Sequence, residues 1–293
     1  RRTGRGTDLM AALHLVGQPV VGDLETRLAL YVDRLAVRGH VPTLAIVDAP
    51  GEEASARFAR AKVRACARLG LGSRLFALPP VGAAEQLLQT LKRLGQDPEI
   101  HGILLESPLP AAYQSLDAAS LLPPIKDVEG LHPYNLGRLF AGRPGFVPAT
   151  AAACLEMLLH YRIPVQGRHA VVVGRSTVVG RPVAMLLLKE NATVTLCHSG
   201  TRDLAEHTRR AEILVVAAGQ PGLVTASMVA PGAVVLDVGT NITEDGTVVG
   251  DVDFAGVEAV ASALTPATGG VGPVTTALLL EQTILAAARQ HGA

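Results

Sequence analysis

Short runs of aliphatic and β-branched residues alternate with helical stretches along the chain, and this alternation restricts the possible fold more than any other feature. The runs Thr43–Val47, Gly102–Leu105, Ala170–Val173, Thr193–Leu196, Ile213–Val216 and Val234–Asp237 have the length and composition of buried strands. The pattern predicts an α/β architecture. With 293 residues and no internal repeat, the chain suits one large domain or two ordinary ones. The stretch from Arg138 to Pro148, with Gly142, Pro144, Gly145 and Pro148, is the expected boundary. A second glycine-rich stretch, Gly269 to Pro273, precedes a last helix expected from about Thr275 to Arg289, able to fold back onto the first domain.

Composition excludes several classes of partner. Lys+Arg and Asp+Glu are both 26, so no basic surplus points to nucleic acid. Aromatics are 3% with no Trp, too few for a base-stacking platform. No uninterrupted apolar run reaches the ~18 residues of a membrane helix, so no membrane partner is expected. The start, Arg1-Arg2-Thr3-Gly4-Arg5 followed by Leu9 to Leu13, imitates a signal peptide faintly, but His14, Gln18 and Pro19 interrupt it, and a frayed tail is the reading adopted. Cys66, Cys154 and Cys197 show no metal-ligand spacing and read as reduced core thiols of a cytoplasmic protein. His132, His160 and His207 show no metal pattern either, and no metal site is expected.

Strand 170–173 runs into Gly174-Arg175-Ser176-Thr177-Val178-Val179-Gly180-Arg181-Pro182, followed by an apolar helix. Strand, glycine turn and helix start are the parts of a phosphate site: glycines admit the anion to the backbone, and a helix N-terminus offers N–H groups. Pro182 suits a first helical turn. The spacing is Gly-x5-Gly, so a tight turn without ligand stays open as an alternative. The next strand ends in Cys197-His198-Ser199-Gly200-Thr201-Arg202, with no carboxylate before Asp203. A site for NAD usually carries an acid there, so Ser199 with Arg175, and Arg202 beside them, predicts NADP. The alternative is that these residues cap the following helix.

On a helix from Ser55 to Leu69, Arg57, Arg60, Arg64 and Arg68 form one stripe, read as a solvated face. Lys62 falls opposite, among Ser55, Phe58, Ala65, Cys66 and Leu69, where an amine is costly without a partner or a task. Only four of the 26 basic residues are lysines. Arginine carries charge but cannot lose a proton, whereas a part-buried lysine can act as a base. Three readings stand: a catalytic lysine, a snorkelling stem, and a buried ion pair.

After its first ten or so residues the chain resembles the methylenetetrahydrofolate dehydrogenase/cyclohydrolase family. The resemblance rests on Ala54-Ser55 with Lys62; Gly102-Ile103-Leu104-Leu105 leading to Pro108-Leu109-Pro110; Lys126-Asp127-Val128 with Gly130; and Gly174-Arg175-Ser176 with Val179-Gly180-Arg181-Pro182. It continues through His198-Ser199; Asp237-Val238-Gly239 with Asn241; Gly250-Asp251-Val252; and Thr265-Pro266 with Gly269-Gly270-Val271-Gly272-Pro273. It implies an α/β substrate domain (1–147, completed by helix 276–293), an NADP-binding Rossmann-type domain with a parallel sheet (148–275), a cleft between them, and a homodimer. The implied reaction is oxidation of 5,10-methylenetetrahydrofolate by NADP+, then hydrolysis of the methenyl product. Lys62 matches the lysine that supports hydrolysis. The resemblance further implies reduced-folate contacts from Asp127, Glu129, Pro266, Gly269, Gly270, Val271, Gly272 and Pro273. For the cofactor it implies Gly174, Arg175, Ser176, Gly180, Pro182, His198, Ser199, Gly239 and Thr240.

Several positions depart from the family pattern. Phe58 stands where tyrosine is usual, Glu106 for glutamine, Ser107 for leucine, Glu129 for aspartate, Thr240 for isoleucine and Thr268 for proline. Phe58 lacks a hydroxyl that could relay a proton. Glu106, if it faces Lys62, favours the protonated amine and weakens it as a base, or itself activates water. Glu129 keeps the carboxyl but adds a methylene. These changes predict that hydride transfer is retained while hydrolysis suffers. Their clustering in the substrate pocket also raises a rival, a diverged relative oxidising another carbon–nitrogen substrate. A non-enzymatic, cofactor-binding subunit is a third reading.

Overall fold

The computed structural model describes residues 11–48, 53–78, 84–106, 109, 113, 116–243 and 245–292, and for 53–57 the backbone only. Ser107, Pro108 and Pro110 lie outside the described residues, as do residues 1–10 and the side chain of Ser55. In chain order the elements are β1 (Leu13–His14), α1 (Gly17–Val37), β2 (Thr43–Asp48), α2 (Glu53–Arg68), β3 (Gly72–Ala77), α3 (Ala84–Gln96) and β4 (Gly102–Leu105). Next come α4 (Pro133–Phe140), α5 (Ala149–His160), β5 (His169–Val173), α6 (Gly180–Lys189), β6 (Thr193–Cys197), α7 (Leu204–Thr208) and β7 (Ile213–Val216). The last are β8 (Val234–Asp237), β9 (Asn241–Ile242), β10 (Val248–Val249), α8 (Phe254–Glu258), β11 (Ala263–Leu264) and α9 (Val271–Gln290). All six strands expected from sequence form.

The chain divides into two units, one of residues 21–152 with 275–293, the other of 1–20 with 153–274. The sequence places the domain boundary at 147/148 and the first twenty residues with the substrate domain. They fall in the other unit because β1 is a strand of its sheet: Leu13 and Leu15 donate N–H bonds to Ser262 and Leu264.

The first unit holds a three-stranded parallel sheet in the order β3-β2-β4. Strand alternation sends Leu44 and Ile46 to one face and Ala45 and Val47 to the other. Leu28, Val32 and Leu35 of α1, Ala59 and Cys66 of α2, and Leu280 and Ile284 of α9 cover the first face. Leu87, Leu91 and Leu94 of α3 cover the second. A sheet covered on both sides explains why its central strand is apolar from Leu44 to Val47. By length and composition α9 passes for a membrane span although polar residues interrupt it, and 61% of its apolar window is buried inside the protein.

At the C-terminal end of α9, His101 and His291 face each other through Nε2 at 2.9 Å, and His40 stacks on His291 with ring centroids 3.6 Å apart. The Thr43 N–H donates to His101 Nδ1, so the imidazole proton belongs on Nε2 and the cluster closes only when neutral. Burial, helped by His291, Lys126 and His40 and opposed by Asp97, holds His101 down at about 4 against an ordinary 6.5. The unfolded chain therefore takes up a proton first. The stabilisation is complete above about pH 6.5 and is lost as pH falls towards 4. Urea unfolding is expected to find the protein about 2 kcal/mol less stable at pH 5 than at pH 7.5 from this group. In His101→Asn the difference should shrink by that amount; an unchanged difference would place its source elsewhere.

Candidate active site

The second unit carries a six-stranded sheet, β1-β11-β8-β7-β5-β6, with every neighbouring pair parallel. The chain crosses from β5 to β6 on one side and continues through β7 on the other, which creates a switch point beyond the carboxyl ends of β5 and β7. Register makes those ends coincide: Val173 pairs with both Cys197 and Val216. Gly174, His198 and Ala217 therefore emerge side by side. They line a cavity of about 470 Å³ together with Arg175, Ser176, Ser199 and Thr201.

Gly174 has φ +126, and a Cβ there would lie 2.1 Å from the Ala217 carbonyl oxygen. Gly180 is held as closely, since its Cβ would fall 2.0 Å from the Gly174 oxygen. Both glycines are demanded by backbone approach. The helix start differs from expectation in one respect. Ser176 Oγ accepts the N–H groups of Val179 at 3.1 Å and Gly180 at 3.4 Å, so these two amides are already served by the chain and are not both open to an anion. Pro182, in the first turn of α6, is buried.

The turn after β6 is self-organised. Thr201 Oγ1 accepts the His198 N–H, and His198 Nδ1 accepts the Gly200 N–H. Asp203, with no side-chain cap bond, is the N-cap of α7, so Ser199 does not cap that helix. Among the described residues no carboxylate lines the cavity, whereas Arg175 and Ser199 do. That lining fits a 2′-phosphate better than a bare ribose diol, and the space above Gly174 would be filled by any Cβ, so the residues present fit NADP. Gly239 and Thr240 stand outside the cavity lining; Gly239 is buried against Asp251 and Thr240 is exposed.

Two buried acids behind this cavity were quoted in the sequence motifs without a task. Asp251 accepts N–H bonds from Ala218, Gly219 and Gln220 at 2.6, 2.9 and 2.8 Å, and one from Asn241 Nδ2 at 2.9 Å. Asp237 accepts those of Gly239, Asp251 and Val252. Burial pushes the Asp237 carboxyl up to about 6, against the pull of these donors. The glycines of the motifs leave room for the acids: a Cβ on Gly250 would stand 1.8 Å from Asp237 Oδ2.

Within the sheet unit of β2, β3 and β4, a second cluster forms. Lys62 on α2 points its Nζ at Glu106 just beyond β4, 2.6 Å from Oε1 and 2.9 Å from Oε2. The side chains are 17% and 8% exposed, so this is a part-buried ion pair with both carboxylate oxygens on one ammonium. Of the three readings left open by sequence, the ion pair is the one formed. Phe58 stands one helical turn before Lys62 and is 46% exposed. Arg60, Arg64 and Arg68 are exposed, as the stripe required, and Arg68 pairs with Glu25.

The Lys126–Gly130 run lies beside β4, with Ile103 bridged to Asp127 in parallel register. Lys126 is buried with Nζ on the Leu94 and Asp97 carbonyls at the end of α3, so it closes a helix. Asp127 is likewise committed: it accepts the Leu131 and His132 N–H groups and the Asn135 amide. Glu129 is different. Burial, with repulsion from Glu106 and Asp127 and relief from Lys62, pushes its carboxyl up to about 8. It has no hydrogen-bond or ion-pair partner among the described residues and is the acid left for a ligand.

Lys62, Glu106, Asp127 and Glu129 are thus brought together in one unit. Gly174, Arg175, Ser176, His198 and Ser199 are brought together in the other. Pro266, Gly269, Gly270, Val271, Gly272 and Pro273 also belong to the latter, in the turn entering α9. There the Gly17 N–H donates to the Gly269 oxygen at 2.7 Å, and Gly269 has φ +78. Sequence reasoning missed Thr201, Ala217, Ala218 and Gln220 as cavity residues. The switch-point rule would have found the last three, because they follow β7 directly.

Comparison with known proteins agrees with this geometry. Residues 15–129 match the family model described as the tetrahydrofolate dehydrogenase/cyclohydrolase catalytic domain, and 148–291 match its NAD(P)-binding domain. The bifunctional protein FolD of Roseiflexus sp. is 51% identical over 86% of this chain and 88% of its own. That of Roseiflexus castenholzii is 47% identical over 97% and 98%. The FolD methylenetetrahydrofolate dehydrogenase/cyclohydrolase structure from Campylobacter jejuni superposes with a TM-score of 0.91 at 37% identity, covering 95% of this chain and 99% of that one. The Trypanosoma brucei enzyme, complexed with NADP cofactor and inhibitor, superposes at 0.92 with 35% identity, over 97% and 100%. The chain therefore belongs to the tetrahydrofolate dehydrogenase/cyclohydrolase family.

Proposed function

We propose that this chain oxidises 5,10-methylenetetrahydrofolate to the 5,10-methenyl form with NADP+, and opens that product with water to 10-formyltetrahydrofolate. The observation that carries the reading is the cavity at the switch point, with Arg175 and Ser199 in its lining and no carboxylate among its described residues. NADP+, when bound, supplies the hydride acceptor. Both activities stand in the family's description and in the name of the Campylobacter jejuni structure, and they come to this chain through its membership of the family. The rival reading, a different carbon–nitrogen substrate, is not favoured: Glu129 keeps a carboxyl available for pterin N–H donors.

Hydride transfer needs positioning and no protein acid or base. Hydrolysis adds water to the methenyl carbon, breaks its bond to N5 and releases one proton. Lys62 Nζ is the donor that orients this water, the proton leaves to solvent, and Glu106 holds the ammonium through both carboxylate oxygens. The same pair keeps the ammonium occupied, so hydrolysis is the slower step. An assay with methylenetetrahydrofolate and either NADP+ or NAD+, following reduced cofactor and methenyl absorbance together, tests this. NADPH with transient methenyl build-up is the expected result; a preference for NAD+, or no reduction, would overturn the reading. The three buried, free thiols support a cytoplasmic setting. The homodimer implied by the family is tested by sedimentation equilibrium.

Glu129 gives the site a pH dependence. As a neutral acid it accepts one pterin N–H bond well; as a carboxylate it accepts two. Its carboxyl titrates at about 8, so ionisation, and with it folate affinity, rises from pH 7 to 9. The folate KM is expected to fall by up to about tenfold over that interval, the change in ionised fraction for such a group. In Glu129→Gln the KM should be flat with pH; a persisting tenfold fall would assign the titration to another group.

A further inference from the structure

A further cavity lies outside the cofactor cavity and the Lys62–Glu106 pair. It occupies about 620 Å³ in the unit of β2, β3 and β4, between α4, the 144–146 segment and the end of α9. That volume suits a small organic molecule. Among the described residues two arginines line it, and no Asp or Glu does. Five other arginines form ion pairs with carboxylates, Arg27, Arg68, Arg74, Arg168 and Arg210. Arg138 and Arg289 have no carboxylate partner among the described residues.

Both guanidiniums are nonetheless held. Arg289 lies over the Phe146 ring at 4.6 Å and Arg138 over Tyr134 at 5.4 Å. Arg138 spends Nε on the Pro144 carbonyl and Nη1 on the Tyr134 hydroxyl. Arg289 has no hydrogen-bond acceptor among the described residues, so its whole planar fork remains available, already oriented by stacking. Around it stand apolar surfaces that water covers poorly: Ile125 is 42% and Tyr134 55% exposed. An uncompensated cationic fork beside flat apolar walls calls for a ligand with a carboxylate on an aromatic body.

We propose that this cavity binds a small aromatic carboxylate, its carboxylate on the Arg289 guanidinium and its ring against Ile125 and Tyr134. A doubly charged phosphate is less suited, because Arg138 has already committed its Nε and one Nη1 hydrogen. The site shares a wall with the substrate cluster: Asn135, which lines it, donates to Asp127 Oδ2 at 2.8 Å.

Calorimetric or NMR titration of the full chain, with NADP+ present to fill the cofactor cavity, tests the assignment. The probe is naphthalene-2-carboxylate, with naphthalene-2-methylamine and inorganic phosphate as comparisons. Binding of the carboxylate is expected on the order of 1 mM, the affinity of a fragment of that size. Neither comparison should bind at that level. Arg289→Met, at an exposed helix end, should weaken the carboxylate at least tenfold while NADP+ affinity is unchanged. Tyr134→Ser should weaken it severalfold. No binding, equal binding of phosphate or the amine, or an affinity untouched by Arg289→Met would each overturn the proposal. So would an acidic peptide that binds here when the aromatic carboxylate does not, which would assign the surface to a protein partner.

Discussion

Replacing Lys62 by methionine is expected to slow hydrolysis of methenyltetrahydrofolate by roughly 10²–10⁴-fold, the usual range for losing a positioned proton-transfer group, while hydride transfer changes by only a few fold. The asymmetry follows from the chemistry of the two steps. Oxidation needs the donor carbon held near its acceptor. Hydrolysis needs a water placed and polarised, and the only lysine of α2, the group that would do so, is held by Glu106. The Lys62→Met variant leaves Glu106, 8% exposed, without its cation. The Lys62→Met/Glu106→Gln double variant removes this complication and should hydrolyse as slowly as the single one. Glu106→Gln alone should act in the opposite direction. It frees the ammonium for water and for Glu129, and hydrolysis should quicken by about an order of magnitude, further still with Phe58→Tyr supplying a hydroxyl one turn away. Following NADPH formation and methenyl loss in one cuvette separates the steps. Equal losses of both steps in Lys62→Met would show that the lysine binds substrate and does not serve hydrolysis.

This pair also shows what a sequence discloses. The helical period alone set Lys62 apart from the Arg60, Arg64 and Arg68 stripe, because a face is a local property. The partner was not local: Glu106 lies 44 positions away and meets Lys62 only because β4 pairs with β2. The same division runs through the fold. Buried strands such as Ile213–Val216 announce themselves by composition. β3, Gly72–Ala77, does not: it is an edge strand, half-exposed, with Arg74 pointing to Asp97 and Glu99. Two-residue β1 and β11 are too short to show a period and exist because neighbouring strands supply their partners. The cofactor loop was legible as strand, glycine and helix. The capping of its helix by Ser176 was not, since a serine four residues before a glycine has many other uses.

Asp251→Ala is expected to cost on the order of 5 kcal/mol, because it orphans four donors, each worth roughly 1–3 kcal/mol when buried without an acceptor. The acid is fully buried and gathers the Ala218, Gly219 and Gln220 amides, which converge on it from the loop after β7. Some of that loss is returned by water, since Ala218 and Gln220 border the cofactor cavity. The expected fall in Tm is then more than about 10 °C, at 2–4 °C per kcal/mol for chains of roughly this size. Asp251→Asn offers no rescue, as one of its two oxygens becomes a donor facing other donors. Asp251→Glu fails sterically, with Gly239 already packed so that a Cβ would sit 2.3 Å from the Asp251 carboxyl carbon. Function should fail in a particular order. The displaced loop walls the NADP cavity, so NADP+ affinity should drop at least tenfold in protein that remains folded at low temperature. The Lys62–Glu106 pair rests on β2 and β4, which Asp251 does not contact, so its chemistry towards added methenyltetrahydrofolate should persist. A Tm within 2 °C of the parent with unchanged NADP+ affinity would mean that the loop holds its shape without this carboxylate. Loss of hydrolysis together with NADP+ binding would mean that the acid acts on the whole protein and not on one loop.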